Sequence, residues 1–171
     1  MLIVMAGPPG SGKSTIAALV SRRLGCALVS VDPIEAAMWT AGVSRDQPTG
    51  LAAYVVAEAV AREQLRLGHD VIIDAVNDVE AARQQWRDLA RVAAVDVLFV
   101  EVVASDPAEH RRRLAERRRD IEGFPEPDWE SVRARVRALS DWDGDRIRLD
   151  FRNEPGANAD AIIAAVERDR E

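Results

Sequence analysis

The stretch that decides the reading is GPPGSGKST, residues 7–15. It fits G-x-x-x-x-G-K-[ST] through Gly7, Gly12, Lys13 and Ser14, with Pro8, Pro9, Gly10 and Ser11 between them and Thr15 following. Backbone N–H groups of such a loop converge on phosphate oxygens, because the helix start beyond it carries unpaired donors and partial positive charge. Lys13 is then expected at the β and γ phosphates as a point charge, and the Ser14 hydroxyl on Mg²⁺. The chain holds 22 arginines and one lysine, Lys13. A lone lysine among arginines marks a place where a compact, strongly hydrated ammonium serves and a planar fork does not.

Outward from the loop, LIVMA at 2–6 is a short apolar run rich in β-formers, which predicts a strand buried on both faces. After the loop, Ile16, Val20 and Leu24 recur every four residues and Gly25 follows as a C-cap, which predicts a helix over 13–24. Further strands are expected at 27–31, 71–74 and 95–103, with an alternating edge strand at 145–151. Helical patterns cover about 50–67, 78–92, 107–119, 128–139 and 157–169. Strands alternating with helices predict an α/β fold with a mostly parallel five-stranded sheet, helices on both faces and right-handed crossovers. Ligands gather at the carboxyl ends of such strands, which singles out residues 7–15, Asp32 and Asp74.

Bulk properties narrow the class. A chain of 171 residues, 47% apolar and 30% charged, has the makings of one domain over 1–171. The start MLIVMA lacks the pattern of an export signal, and no apolar run approaches the roughly 20 residues that span a bilayer. One cysteine, Cys26, makes no internal disulfide and suits a reducing cytoplasm. A net charge of −6 argues against a general affinity for nucleic acid.

VDPIE at 31–35 is spelled like a helix start, with Asp32 as cap, Pro33 at the first helical position and Glu35 reaching back. The same spelling recurs at Asp106 as DPAE. Asp32, however, ends the strand after the glycine-loop helix, where a carboxylate stands beside the γ-phosphate and can accept a proton from an attacking hydroxyl. Capping and catalysis are both open, and do not exclude each other.

The chain resembles the small P-loop kinases that include chloramphenicol phosphotransferase, the kinase domain of polynucleotide kinase, zeta toxins and gluconate kinases. The resemblance rests on GPPGSGKST, VDPIEAAMW, VIIDAVND after a helix ending LRLGHD, WRDLA before VLFVEVVASD, and the arginine-rich helix beyond. It implies a three-layer P-loop NTPase fold that uses ATP and Mg²⁺, with a small helical lid at about 111–128. Asp32 becomes the general base, Lys13 and Ser14 the phosphate and metal ligands. Asp74 becomes an acceptor-side or metal-supporting carboxylate, and Asn77 a substrate contact, although Asn77 with Glu80 also spells a capping box. An arginine that polynucleotide kinase has shortly after its base is absent at Ile34, Glu35 and Ala36, which weakens the nucleic-acid version.

HRRRLAERRRD at 110–120 holds six arginines, among them Arg112, Arg117 and Arg119. Helical spacing allows a solvated charged face, and equally a lid bringing Arg117 or Arg119 over the phosphates. Arg133 and Arg137 are weaker candidates. Trp39, Tyr54, Trp129 and Trp142 are core residues by default, yet Trp39 and Tyr54 flank the loop past Asp32 where an acceptor would sit. His69, His110 and Cys26 have no partners at metal-ligand or catalytic spacing. The expected function is transfer of the γ-phosphate of ATP to a hydroxyl of an antibiotic, nucleoside or sugar. The alternatives are a polynucleotide 5′-hydroxyl kinase and a P-loop ATPase acting on a partner protein; a guanine-reading N-K-x-D is missing.

Overall fold

Period-two alternation in LIVMA builds the centre of the protein. In the computed structural model, which describes residues 1–117 and 126–170, this run is β1 (Leu2–Ala6), buried along its whole length. Leu2, Val4 and Ala6 join one apolar cluster, and Ile3 and Met5 join the other. A strand whose two faces both feed a core must lie mid-sheet with helices above and below.

The chain continues as α1 (Lys13–Leu24), β2 (Ala27–Ser30), α2 (Val31–Thr40), α3 (Thr49–Arg66), β3 (Val71–Asp74) and α4 (Glu80–Ala93). It ends through β4 (Val97–Val103), α5 (Pro107–Glu116), α6 (Trp129–Ser140), β5 (Ile147–Asp150) and α7 (Pro155–Asp169). The five strands run in the order β2-β3-β1-β4-β5, all parallel. This is the three-layer α/β arrangement of P-loop proteins. One face carries α1 and α7 through Ile16, Val20, Ile162 and Val166. The other carries α3 and α4 through Ala53, Ala57, Ala61, Trp86 and Leu89, with Leu139 of α6.

Two boundaries differ from the sequence expectation for local reasons. The fourth strand begins at Val97 rather than 95, because Ala94 (φ 53°) and Val95 turn back onto the end of α4, Val95 N–H donating to the Ala90 carbonyl at 3.0 Å. The helix expected over 107–119 ends at Glu116, and Arg117 is extended. Among the described residues no helix is long and apolar enough to cross a membrane.

Candidate active site

The glycine loop leaves β1 under tight geometric control. Gly7 has φ 144°, and a Cβ there would sit 2.8 Å from the Val102 carbonyl oxygen, so only glycine fits. The Gly7 N–H donates to the Val76 carbonyl at 3.1 Å, and Ser11 N–H to the Pro8 carbonyl at 3.2 Å. From the opposite side, Nε2 of buried His110 on α5 donates to the Pro9 carbonyl at 2.7 Å. A carbonyl can only accept, so Nε2 carries the proton. Sequence spacing passed over His110; its role as a strut depends on a contact between residues 101 positions apart.

Lys13 and Asp74 meet at the floor of the loop. Both are buried, with Lys13 Nζ 3.9 Å from Asp74 Oδ1. The pairing follows from topology, since β1 and β3 are neighbours and Asp74 closes β3. Ser30 Oγ, at the end of β2, donates to Asp74 Oδ2 at 3.4 Å. Asp74 Oδ1 and Ser11 Oγ are buried without a hydrogen-bond partner. Buried oxygens without a hydrogen bond are rare in protein interiors, and Ser11 belongs to the glycine loop while Asp74 stands against its lysine.

The loop separates two cavities. One, of about 500 Å³, is lined by Gly10, Gly12, Lys13, Ser14 and Thr15 of the loop and by Arg113 and Arg117 from the arginine-rich segment. The other, of about 440 Å³, touches the loop at Pro9 and is walled by Asp32, Glu35, Trp39, Tyr54 and Arg135. Asp32, Trp39 and Tyr54 thus come together as the sequence suggested. Asp74 lines neither of these two cavities; it is buried against Lys13.

The structure corrects the capping of Asp32. Helix α2 begins at Val31 with Ser30 at the N-cap, so Asp32 sits inside the first turn, and Glu35 accepts from Thr49 Oγ1 at 2.8 Å instead of reaching back. Trp39 Nε1 donates to the same Thr49 hydroxyl at 3.0 Å, while Arg45 stacks over its ring at 4.4 Å. Tyr54 has its hydroxyl pushed up to about 12, chiefly by burial, and so keeps its proton at any physiological pH.

Asn77 is neither a cap nor a surface contact. The N-cap of α4 is Val79, and Asn77 is fully buried at φ 52°. Its Nδ2 donates to the Met5 carbonyl at 2.7 Å and its Oδ1 accepts from Trp86 Nε1 at 2.9 Å. Its own carbonyl accepts from Arg83 and its N–H donates to the Tyr54 hydroxyl. Asn77 therefore ties β1, α3 and α4 together beneath the site and is not in the lining of either cavity.

The arginines divide by helix face. Arg112 points to solvent between Glu109 and Glu116. Arg113 and Arg117, four apart, face the loop; Arg113 stacks on Phe151 and donates to its carbonyl at 2.9 Å. Arg117 pairs with Glu126 at 3.6 Å. Arg119, with the rest of 118–125 in the lid expected at 111–128, lies outside the described residues. On α6 the weaker candidates Arg133 and Arg137 line a separate cavity, and the residue at the acceptor cavity is Arg135, on a different helix face. Helical spacing could have offered Arg135 equally; only the packing of α6 selects it. Trp129 meets His110 edge-on at 5.3 Å, and Trp142 packs in the core between Arg83 and Arg146.

Comparisons agree with this geometry. Residues 2–139 match the AAA domain family model. A shikimate kinase of Corynebacterium efficiens is 33% identical over 143 residues, covering 70% of this chain and 80% of that protein. A sugar kinase from Janibacter sp. HTCC2649 shares the fold with a TM-score of 0.71 at 20% identity, over 97% of this chain and 94% of that one. The Mycobacterium tuberculosis APS kinase, solved with AMPPNP and APS, does so with a TM-score of 0.68 at 19% identity, over 97% and 96%. With its glycine loop, parallel sheet and small-molecule kinase relatives, the chain belongs to the AAA domain family of P-loop proteins.

Proposed function

We propose that this protein is an ATP- and Mg²⁺-dependent kinase that moves the γ-phosphate of ATP onto a hydroxyl of a small molecule. The observation that carries the proposal is the loop standing between two cavities, phosphate-binding residues on one side and Asp32 on the other. A transferring phosphoryl group needs donor and acceptor on opposite sides of one point.

Lys13, Arg113 and Arg117 neutralise charge on the phosphates, and the loop N–H groups hold their oxygens. Asp32 takes the proton from the acceptor hydroxyl as its oxygen bonds to the γ-phosphorus and the bond to the leaving ADP oxygen breaks. Glu35, held by Thr49, and Trp39 fix the helix that carries Asp32. Ser14, exposed at the phosphate cavity, and Asp74, whose Oδ1 accepts no hydrogen bond and faces Lys13, would be the residues to hold an Mg²⁺ ion beside the phosphates. That ion supplies charge neutralisation to the phosphates.

The lining of the acceptor cavity, with Asp32, Glu35 and Glu126 against Arg135, is unsuited to a polynucleotide acceptor. The test is transfer of labelled γ-phosphate from ATP across antibiotics, nucleosides, sugars and 5′-hydroxyl oligonucleotides, with Asp32→Asn in parallel. A phosphorylated small molecule, lost in Asp32→Asn while ATP still binds, is the expected outcome. ATP hydrolysis unaffected by any acceptor would overturn the proposal.

A further inference from the structure

Beside the acceptor cavity lies a second compartment of about 300 Å³, between α3 and α4. It shares three lining residues with that cavity, Gly50, Tyr54 and Arg135, so the two adjoin at the Tyr54 ring. Its other walls are largely apolar and small, Leu51, Val79, Ala81 and Ala82, with Asp78 and Gln85 at the polar side. Leu51 is 68% exposed and Val79 53% exposed. Exposed apolar side chains around a concave site are what an apolar ligand covers. Gln85 is fixed at this wall by its amide, which donates to the Tyr54 carbonyl at 3.1 Å and to Glu58 at 2.8 Å.

We propose that this compartment takes an apolar arm of the acceptor, so that the substrate class is an uncharged or cationic hydroxyl compound bearing an aryl or alkyl group. The inference rests on reading the Asp32 cavity as the acceptor site. Two features choose this occupant. Adjacency at Tyr54 sets a hydroxyl at Asp32 and an apolar arm between Leu51, Val79 and Ala82 within the span of one molecule. The acidic lining at the hydroxyl end, with Asp32, Glu35 and Glu126 against Arg135 among the described residues, opposes carboxylate acceptors such as shikimate.

The experiment uses matched pairs of uncharged hydroxyl compounds that differ by a phenyl group. Glycerol is compared with 3-phenoxy-1,2-propanediol, and methyl with phenyl β-D-glucoside; shikimate is the anionic probe. Binding to the AMPPNP-loaded protein is measured by calorimetry, and phosphorylated product from ATP by mass spectrometry. The phenyl member of each pair should bind about tenfold or more tightly than its partner, as burial of one ring warrants, and shikimate should not bind. Ala82→Trp, which fills the compartment, should abolish the advantage with AMPPNP binding unchanged. Leu51→Ser, at an exposed wall, should reduce it without threatening the fold.

Equal binding within pairs, no binding by either member, or an advantage that survives Ala82→Trp overturns the inference. So does a concentration-dependent dimer that Leu51→Ser breaks, because the face then belongs to a second copy of the chain. Selective binding with no phosphorylated product from any compound instead overturns the phosphotransferase reading and leaves the compartment standing.

Discussion

VDPIE at 31–35 and SDPAE at 105–109 are spelled almost alike, follow strands, and open helices, yet they do different work. At the second, Asp106 is the N-cap of α5 and accepts from the N–H groups of Ala108 at 3.0 Å and Glu109 at 3.1 Å. At the first, α2 starts one residue earlier, with Ser30 as N-cap, and Asp32 falls inside the first turn at the acceptor cavity. The shift arises because β2 runs into α2 without a loop. Pro33 tolerates it, since N–H groups in the first turn have no intrahelical partner to lose. Asp32 thereby lines the acceptor cavity from the first turn, and Ser30 takes the N-cap position. One residue of register separates a cap from a candidate base.

The largest expected effect breaks or confirms this distinction directly. Asp32→Asn should lower the rate of phosphate transfer by about 10²–10⁴-fold with ATP affinity retained, because the amide cannot take a proton. Asp106→Asn should leave the rate within about twofold, since asparagine caps as well as aspartate does. Equal losses in both variants, read from initial rates at saturating ATP, would mean that Asp32 serves the helix alone.

A third stretch, NDVE at 77–80, sharpens the contrast because it too is spelled like a cap and is not one. Asn77→Ala should destabilise the fold by about 2–4 kcal/mol, leaving the buried Trp86 N–H and the Met5 carbonyl without partners and placing alanine at φ 52°. Thermal unfolding would show a fall of several degrees or more. An unchanged melting temperature would remove Asn77 from the frame of the protein. A smaller loss, about 1 kcal/mol, is expected for Asp106→Ala from loss of the cap, which denaturant titration can resolve.

These cases explain what was legible. The loop, the helix behind it, the sheet and its edge strand follow from glycine spacing and from apolar periods of two and four, which are local. The grouping of Asp32, Trp39 and Tyr54 at one cavity also follows, because strand ends converge in a parallel sheet. What escaped depends on partners far along the chain. Asn77 meets Met5 across 72 positions, and His110 meets Pro9 across 101. Arg135, rather than Arg133 or Arg137, reaches the cavity because of how α6 packs. Capping motifs name residues that can cap; helix register, set by strand length, decides whether they do.

The smallest expected effect returns to the two Asp-Pro stretches through their glutamates. Glu35 spends its carboxylate on Thr49, whereas Glu109 accepts from Arg112 and Arg113, which hold its carboxyl down at about 2. A carboxylate depressed in the folded state stabilises fully above its unfolded value, near 4.5, and loses that contribution as pH falls towards 2. Glu109→Gln should therefore melt slightly below wild type at pH 6, and the two curves should converge as pH falls from about 4.5 to about 2. Because the group is exposed, the gap should also shrink in about 1 M salt, where the screening length is roughly 3 Å. A gap independent of both pH and salt would assign Glu109 a packing role, and the second Asp-Pro start would then be held by its Asp106 cap without help from the arginine helix.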